Sequence, residues 1–294
     1  MNTWISEENE LIAEAYNNLD NLLITGGGTD VCVIYFSGNN LYYPDNDETF
    51  KNTILEKNRF EWVKRKGDFD ESLQVKEIFV RDVYKQWYVQ GINSTLNSID
   101  KLADYLKEET SDCKEVLTVG NSAGGYMAVL IGCLLHVNRV FTFSGQFDLH
   151  DRVDKNPLLS KYLDNSDKSK YYDLIGLVRN CDVPIYYFWP GFVEQDVFQA
   201  GLVSDLKNVK SFRFNQTIHG QSMYAENLPI VIGCSKADLD TLYVKYNGRT
   251  VSPFCFSVKI SGFVPSLKGY CIMQLKRLYV QYKKIISQLR KGNI

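Results

Sequence analysis

The sequence predicts an α/β fold, a mostly parallel central sheet with helices on both faces. Three observations predict it. Strand-like runs recur at residues 31–36, 75–80, 116–119, 139–143, 183–189 and 209–214, and stretches of helical periodicity separate them in the rhythm of βαβ units. Several runs are apolar throughout rather than alternating, as strands covered on both faces are. At the end of one run stands Gly120-Asn121-Ser122-Ala123-Gly124, where a strand-like stretch stops and a helix-like stretch of small and apolar residues, 126–135, begins.

With 294 residues, 45% of them hydrophobic, the chain can bury one deep α/β core, or a domain of about 250 residues with an appendage. Lys plus Arg number 33 against 35 Asp plus Glu, a net charge of −2 that gives no reason to expect nucleic acid as a partner. The first residues carry acidic groups where a signal peptide would need a basic start, and no stretch holds 18 continuous apolar residues, so the expected location is cytoplasmic. Seven cysteines are scattered through apolar runs without C-x-x-C spacing, which predicts reduced buried thiols and no metal site.

In chain order, Leu11, Ile12, Ala15, Leu19, Leu22 and Leu23 predict an amphipathic helix over residues 5–24, with Ser6 as its N-cap and Gly26-Gly27-Gly28 as its stop. The run 31–36 is the first strand. Its polar end, 37–40, is where a second amide for an oxyanion would come from, which makes Gly38 and Asn39 candidates. Residues 60–63 read as a short strand and 75–80 as a longer one. Beyond it, residues 81–92 crowd Arg81, Trp87 and Tyr88 at the end of a strand where open α/β sheets gather ligands; with Trp189 these are the candidate substrate contacts, aromatic faces being suited to sugar rings. A helix is predicted over 93–109, a charged cap or lid insertion over 148–170, and helices over 171–179, 197–206 and 221–227.

The elbow glycines admit a strained backbone at Ser122, whose oxygen is then exposed as a nucleophile, while the Ala123 amide at the helix start points where negative charge gathers. Of three histidines, His136 lies too far along the following helix to curl back and His150 lies in the charged insertion. His219 alone follows a late strand on a glycine-marked turn, as a base that overhangs the serine must. Asp196, beyond the end of the preceding strand, is placed to orient that imidazole, in preference to Glu194 and Asp205.

In the tail, Cys271, Leu275, Leu278, Tyr282, Ile285 and Leu289 recur at four-and-three spacing, and basic pairs repeat every seven residues beside them. The seam is expected to pack on the body of the protein; the alternatives are a homo-oligomer or an anionic membrane surface. The expected organisation is a domain over 1–234, with its N-terminal helix and the cap at 148–170, and a C-terminal helical appendage over 235–294.

The elbow with Asp196 and His219, in the order nucleophile, acid, base, resembles the α/β-hydrolases over about residues 30–230. Val80-Arg81-Asp82 with Trp87-Tyr88 and Gly91 is similar to hydrolase-like proteins associated with bacterial surface-polysaccharide assembly. Some of those resemble capsule O-acetyltransferases, which use the same triad with acetyl-coenzyme A as donor. The chain departs from the hydrolase pattern in having no HGG-type sequence after its first strand and in its tail from Ser235. The function expected is serine-dependent acyl transfer or ester hydrolysis through an acyl-Ser122 intermediate on a carbohydrate-related O-acetyl ester. No cofactor is expected beyond acetyl-coenzyme A as donor substrate in the transferase alternative. A third reading is a non-catalytic module that binds a glycan or a partner enzyme.

Overall fold

The computed structural model describes residues 5–291. Eight strands form one sheet in the order β1-β3-β2-β4-β5-β6-β7-β8: β1 (Leu22–Thr25), β2 (Val31–Phe36), β3 (Val75–Val80), β4 (Glu115–Asn121), β5 (Arg139–Phe143), β6 (Ile185–Pro190), β7 (Val209–Phe214) and β8 (Thr250–Val251). Among the described residues, only β1 runs antiparallel to its neighbour in the sheet; every other strand pair is parallel. Parallel neighbours need crossovers, and helices supply them on both faces. All six positions of β2 and of β6 are buried, which is why these runs show no alternation in sequence.

The period of two along each strand splits the interior into a layer on each face. Cys32, Ile34 and Phe36 of β2 pack with the helices Ile99–Glu109 and Ala123–Leu134 on one face. Val31, Val33 and Tyr35 join Leu117, Val119, Phe141, Phe212 and Phe214 on the other. Register fixes what meets at the end of the sheet. Phe36 lies opposite both Val80 and Gly120, so the loops after β2, β3 and β4 leave from one edge.

Several elements differ from expectation. The N-terminal helix runs Glu10–Asn18 and is capped by Asn9, whose side chain accepts from the Leu11 and Ile12 amides, not by Ser6. Its expected last turn is instead β1, because pairing Leu22–Thr25 with Val80–Glu77 covers an edge of the sheet. Residues 60–63 form no strand. The helix expected from residue 93 begins at Ile99, since Asn93 Oδ1 accepts from the Thr95 and Leu96 amides in a turn, and Ser98 supplies the cap. In place of a helix over 221–227, a short turn (Ala225–Asn227) leads into the helix Leu228–Gly233. The insertion at 148–170 folds as three short helices, and Asn156 ties it to the Lys85 carbonyl.

The core does not stop at Cys234. The helix Lys236–Tyr246 buries Leu239 and Leu242, β8 pairs with β7, and the Phe256 ring meets those of Phe214 at 5.2 Å and Phe212 at 6.3 Å. A boundary at residue 235 would cut the sheet from its own cover. The last helix, Phe263–Lys291, is set off from Pro253–Ser261 by Gly262 at φ +84° and rests one side of its first turns on the body. Removing the Phe256 side chain should therefore cost about 3–5 kcal/mol. Leu278→Ala, on the exposed last helix, should change stability by less than about 0.5 kcal/mol. Denaturant unfolding of the two variants measures both, and equal losses would contradict this placement of the core.

Candidate active site

Ser122 joins β4 to the helix Ala123–Leu134 at φ +55°, ψ −119°, a backbone conformation that a side chain resists. Close packing holds it there. A Cβ on residue 124 would overlap the Phe36 carbonyl, and one on residue 120 would overlap the Gly124 carbonyl, so only glycine fits either position. The Ser122 amide donates to the Phe143 carbonyl at 2.8 Å, anchoring the turn to β5.

The elbow, Asp196 and His219 meet. Ser122 Oγ lies 2.8 Å from His219 Nε2, and His219 Nδ1 lies 2.9 and 3.1 Å from the two carboxylate oxygens of Asp196. Asp196 is 1% exposed and sits in the first turn of the helix Glu194–Leu202, where the unpaired amides favour a negative charge. An ionised carboxylate can only accept, so in the neutral imidazole this geometry assigns the proton to Nδ1 and leaves Nε2 to accept from Ser122. His136 ends the elbow helix, exposed, and His150 bonds Asp148 at 2.6 Å in the cap.

The position of His219 depends on residues that the sequence did not mark. The Gly220 amide donates to Ser144 Oγ at 3.1 Å, and Ser144 is buried at φ +51° where β5 ends. Its signal was present in the polar Ser144-Gly145 that closes the β5 run. Asn121 packs beside Gly220, and its Oδ1 is buried with no hydrogen-bond partner among the described residues.

Of the expected oxyanion donors, Gly38 is not free. Its amide donates to Glu61 Oε2 at 2.6 Å. Ala123 opens the elbow helix, where an amide has no intrahelical acceptor, and Asn39 follows Gly38 at the same edge. Burial pushes the Glu61 carboxyl above its ordinary value, although the Gly38 amide, Arg65, Arg59 and Asn121 pull the other way.

The four expected substrate contacts are interior residues. Arg81 is 1% exposed, donates to Asn21 Oδ1 at 2.8 Å and stacks over Phe60. Tyr88 is fully buried, with its hydroxyl on the Ser37 carbonyl; Trp87 bonds Gln146 and Trp189 bonds Ser211 through their indole nitrogens. One carboxylate explains the inward turn of this loop. Asp82 accepts from the amides of Tyr84, Gln86 and Tyr88 at 2.9, 2.7 and 2.9 Å, closing a knot that forces positive φ at Lys85, Trp87 and Tyr88. Burial pushes Asp82 up to about 6 against the pull of these amides.

The open space lies elsewhere. A cavity of about 1150 Å³ reaches Asn121 and His219, walled by residues 57–65, by 217–228 and by Gly269, Ile272 and Met273 of the last helix. Its lining includes Lys57, Arg59, Lys64 and Arg65 against the acids Glu61 and Glu226. In sequence this basic wall reads only as a polar connection between strands.

The parallel sheet, the elbow after a central strand and the order of the three residues make this an α/β-hydrolase-like fold. No family model and no curated protein sequence matches the chain. Among solved structures, the capsule O-acetyltransferase of Neisseria meningitidis serogroup A is similar at 15% identity, covering 77% of this chain and 92% of that one, with a TM-score of 0.49. A lipase-esterase related protein from Clostridium acetobutylicum is similar at 15% identity over 76% of this chain and 98% of its own, with a TM-score of 0.42. An alpha/beta hydrolase enzyme from a lagoon-sediment metagenome shows 15% identity, 76% and 93% coverage, and a TM-score of 0.42.

Because the Glu61 value is raised, folding favours its protonated form. That contribution is complete below the ordinary carboxylate range and is lost as pH rises through the raised value. Glu61→Gln keeps an oxygen for the Gly38 amide and removes the charge. The variant and the wild type should melt together near pH 4 and diverge with rising pH, the variant melting higher at about pH 8. Parallel melting curves at both pH values would show that the carboxylate carries no burial penalty.

Proposed function

We propose that the chain is a serine-dependent acyl-transfer enzyme, acting by ester hydrolysis or by transfer to an acceptor through an acyl-Ser122 intermediate. One observation carries the reading: the continuous hydrogen-bonded line from Ser122 Oγ through both ring nitrogens of His219 to buried Asp196. Ser122 Oγ attacks the ester carbonyl while His219 Nε2 takes its proton, and the imidazolium so formed is stabilised by Asp196. The Ala123 amide, with Asn39 as the second candidate donor, faces the charge on the tetrahedral oxygen. His219 then returns the proton to the leaving alcohol or thiol. In the second half-reaction it activates water or an acceptor hydroxyl against the acyl-serine.

We assign the substrate to carbohydrate-related O-acetyl esters on the sequence resemblance alone, since the aromatic residues that suggested sugar contact face the interior. The transferase alternative has a feature of its own in favour: four cations on the wall of the cavity beside His219 suit a phosphate-bearing donor such as acetyl-coenzyme A. A fluorophosphonate probe should label the wild type at Ser122 and leave Ser122→Ala unlabelled. Ser122→Ala and His219→Ala should lower kcat/KM by about 1000-fold or more, and Asp196→Asn should lower it comparably, with the fold intact. Acetyl release from an acetylated polysaccharide, set against acetyl transfer from acetyl-coenzyme A to a glycan, separates the two activities. Failure of the wild type to label would favour a non-catalytic binding module.

A further inference from the structure

We propose that the last helix, Phe263–Lys291, docks the protein on an anionic lipid surface by inserting its outward apolar stripe among the acyl chains. Val264, Leu267, Cys271, Leu275, Leu278 and Tyr282 follow one another at spacings of three and four, so they fall on one face of the helix. The face is bare: Val264 is 77% exposed, Leu275 66%, and Leu278 and Tyr282 61% each. The side that meets the body is a different one. Ser266 is fully buried, Gly269 lies against the Tyr224 ring, and Ile272 and Met273 line the cavity. The body that the seam was expected to cover is therefore already served by other residues of the same helix.

Charge selects the occupant. From Phe263 to the end of the chain there is no Asp or Glu, while Lys268, Lys276, Arg277, Lys283, Lys284, Arg290 and Lys291 are basic. A second copy of this helix would cover the stripe but bring together two strongly basic helices with no acidic residue on either to offset the repulsion. An anionic bilayer offers acyl chains for the stripe and a negative surface for a helix that carries seven cations and no acid. Among the described residues no helix is long and apolar enough to cross a membrane, so this helix lies on the surface. Since the helix also walls the cavity beside His219, docking sets the cavity about one helix diameter, ~10 Å, from the lipid.

The test uses the full chain with vesicles of phosphatidylcholine alone and of phosphatidylcholine with phosphatidylglycerol, separated by flotation. The protein should partition onto the anionic vesicles about tenfold or more tightly than onto the neutral ones, and raising salt to about 0.5 M should weaken that binding several-fold. Leu275→Gln combined with Leu278→Gln, at exposed positions outside the cavity, should lower anionic-vesicle binding by about tenfold while hydrolysis of a soluble ester is unchanged. Binding to both vesicle types alike, or to neither, overturns the proposal. So does a dimer in sedimentation that the double variant dissociates without any vesicle binding, which would assign the stripe to a second copy. A catalytically dead protein that still binds anionic vesicles leaves the proposal standing, since the docking surface does not depend on the acyl-transfer reading.

Discussion

The Phe36 carbonyl occupies the space that a side chain at residue 124 would need, and this close approach of the elbow to the end of β2 governs the site. It brings the helix Ala123–Leu134 down onto the sheet, holds Ser122 at positive φ, and sets the loop after Phe36 beside Asn121. Strain of this kind persists only where surrounding packing over-determines it. Here the packing is backbone on backbone, with the glycines of the elbow as the condition. Gly38 takes part in the same approach, since a Cβ there would meet the Asn121 carbonyl at 2.6 Å.

From that fixed point the parallel sheet brings in the other groups. Neighbouring strands β5, β6 and β7 end at one edge, so Ser144, Asp196 and His219 each leave a different strand and arrive on the same side of Ser122. The burial of Asp196 gives the arrangement its electrostatic weight, because a carboxylate shielded from water interacts more strongly with an imidazolium than an exposed one would. Its own burial raises the Tyr187 phenol well above its usual value, with the nearby Asp196 charge contributing. Glu61 is the counterpart on the other side of the elbow. It holds the Gly38 amide, which is therefore engaged within the protein.

What was legible in the sequence was the part governed by local pattern. The β2 and β6 runs are apolar throughout because both faces are buried, and the elbow glycines are forced by contacts that no other residue tolerates. Chain order was enough to single out Ser122, Asp196 and His219. Ring direction was not legible. Trp87 and Tyr88 read as ligand contacts from their place at a strand end, but Asp82, six residues before Tyr88, turns them inward through amides that sequence patterns do not display. β1 was hidden because Leu22-Leu23-Ile24-Thr25 continues a helical pattern equally well, and only the unpaired edge of β3 decides for a strand. The tail misled in the opposite sense: residues 236–256 belong to the core through long-range pairing with β7, which local periodicity cannot register.

The proposed acyl chemistry passes through Ser122. The direct measurement is mass spectrometry of the enzyme quenched during turnover of an activated acetyl ester, followed by peptide mapping of the acetylated residue. One acetyl group is expected on the peptide that contains Ser122, accumulating in the wild type and absent from Ser122→Ala. Sustained turnover with no acetyl on Ser122, or with acetyl on one of the seven cysteines instead, would contradict it.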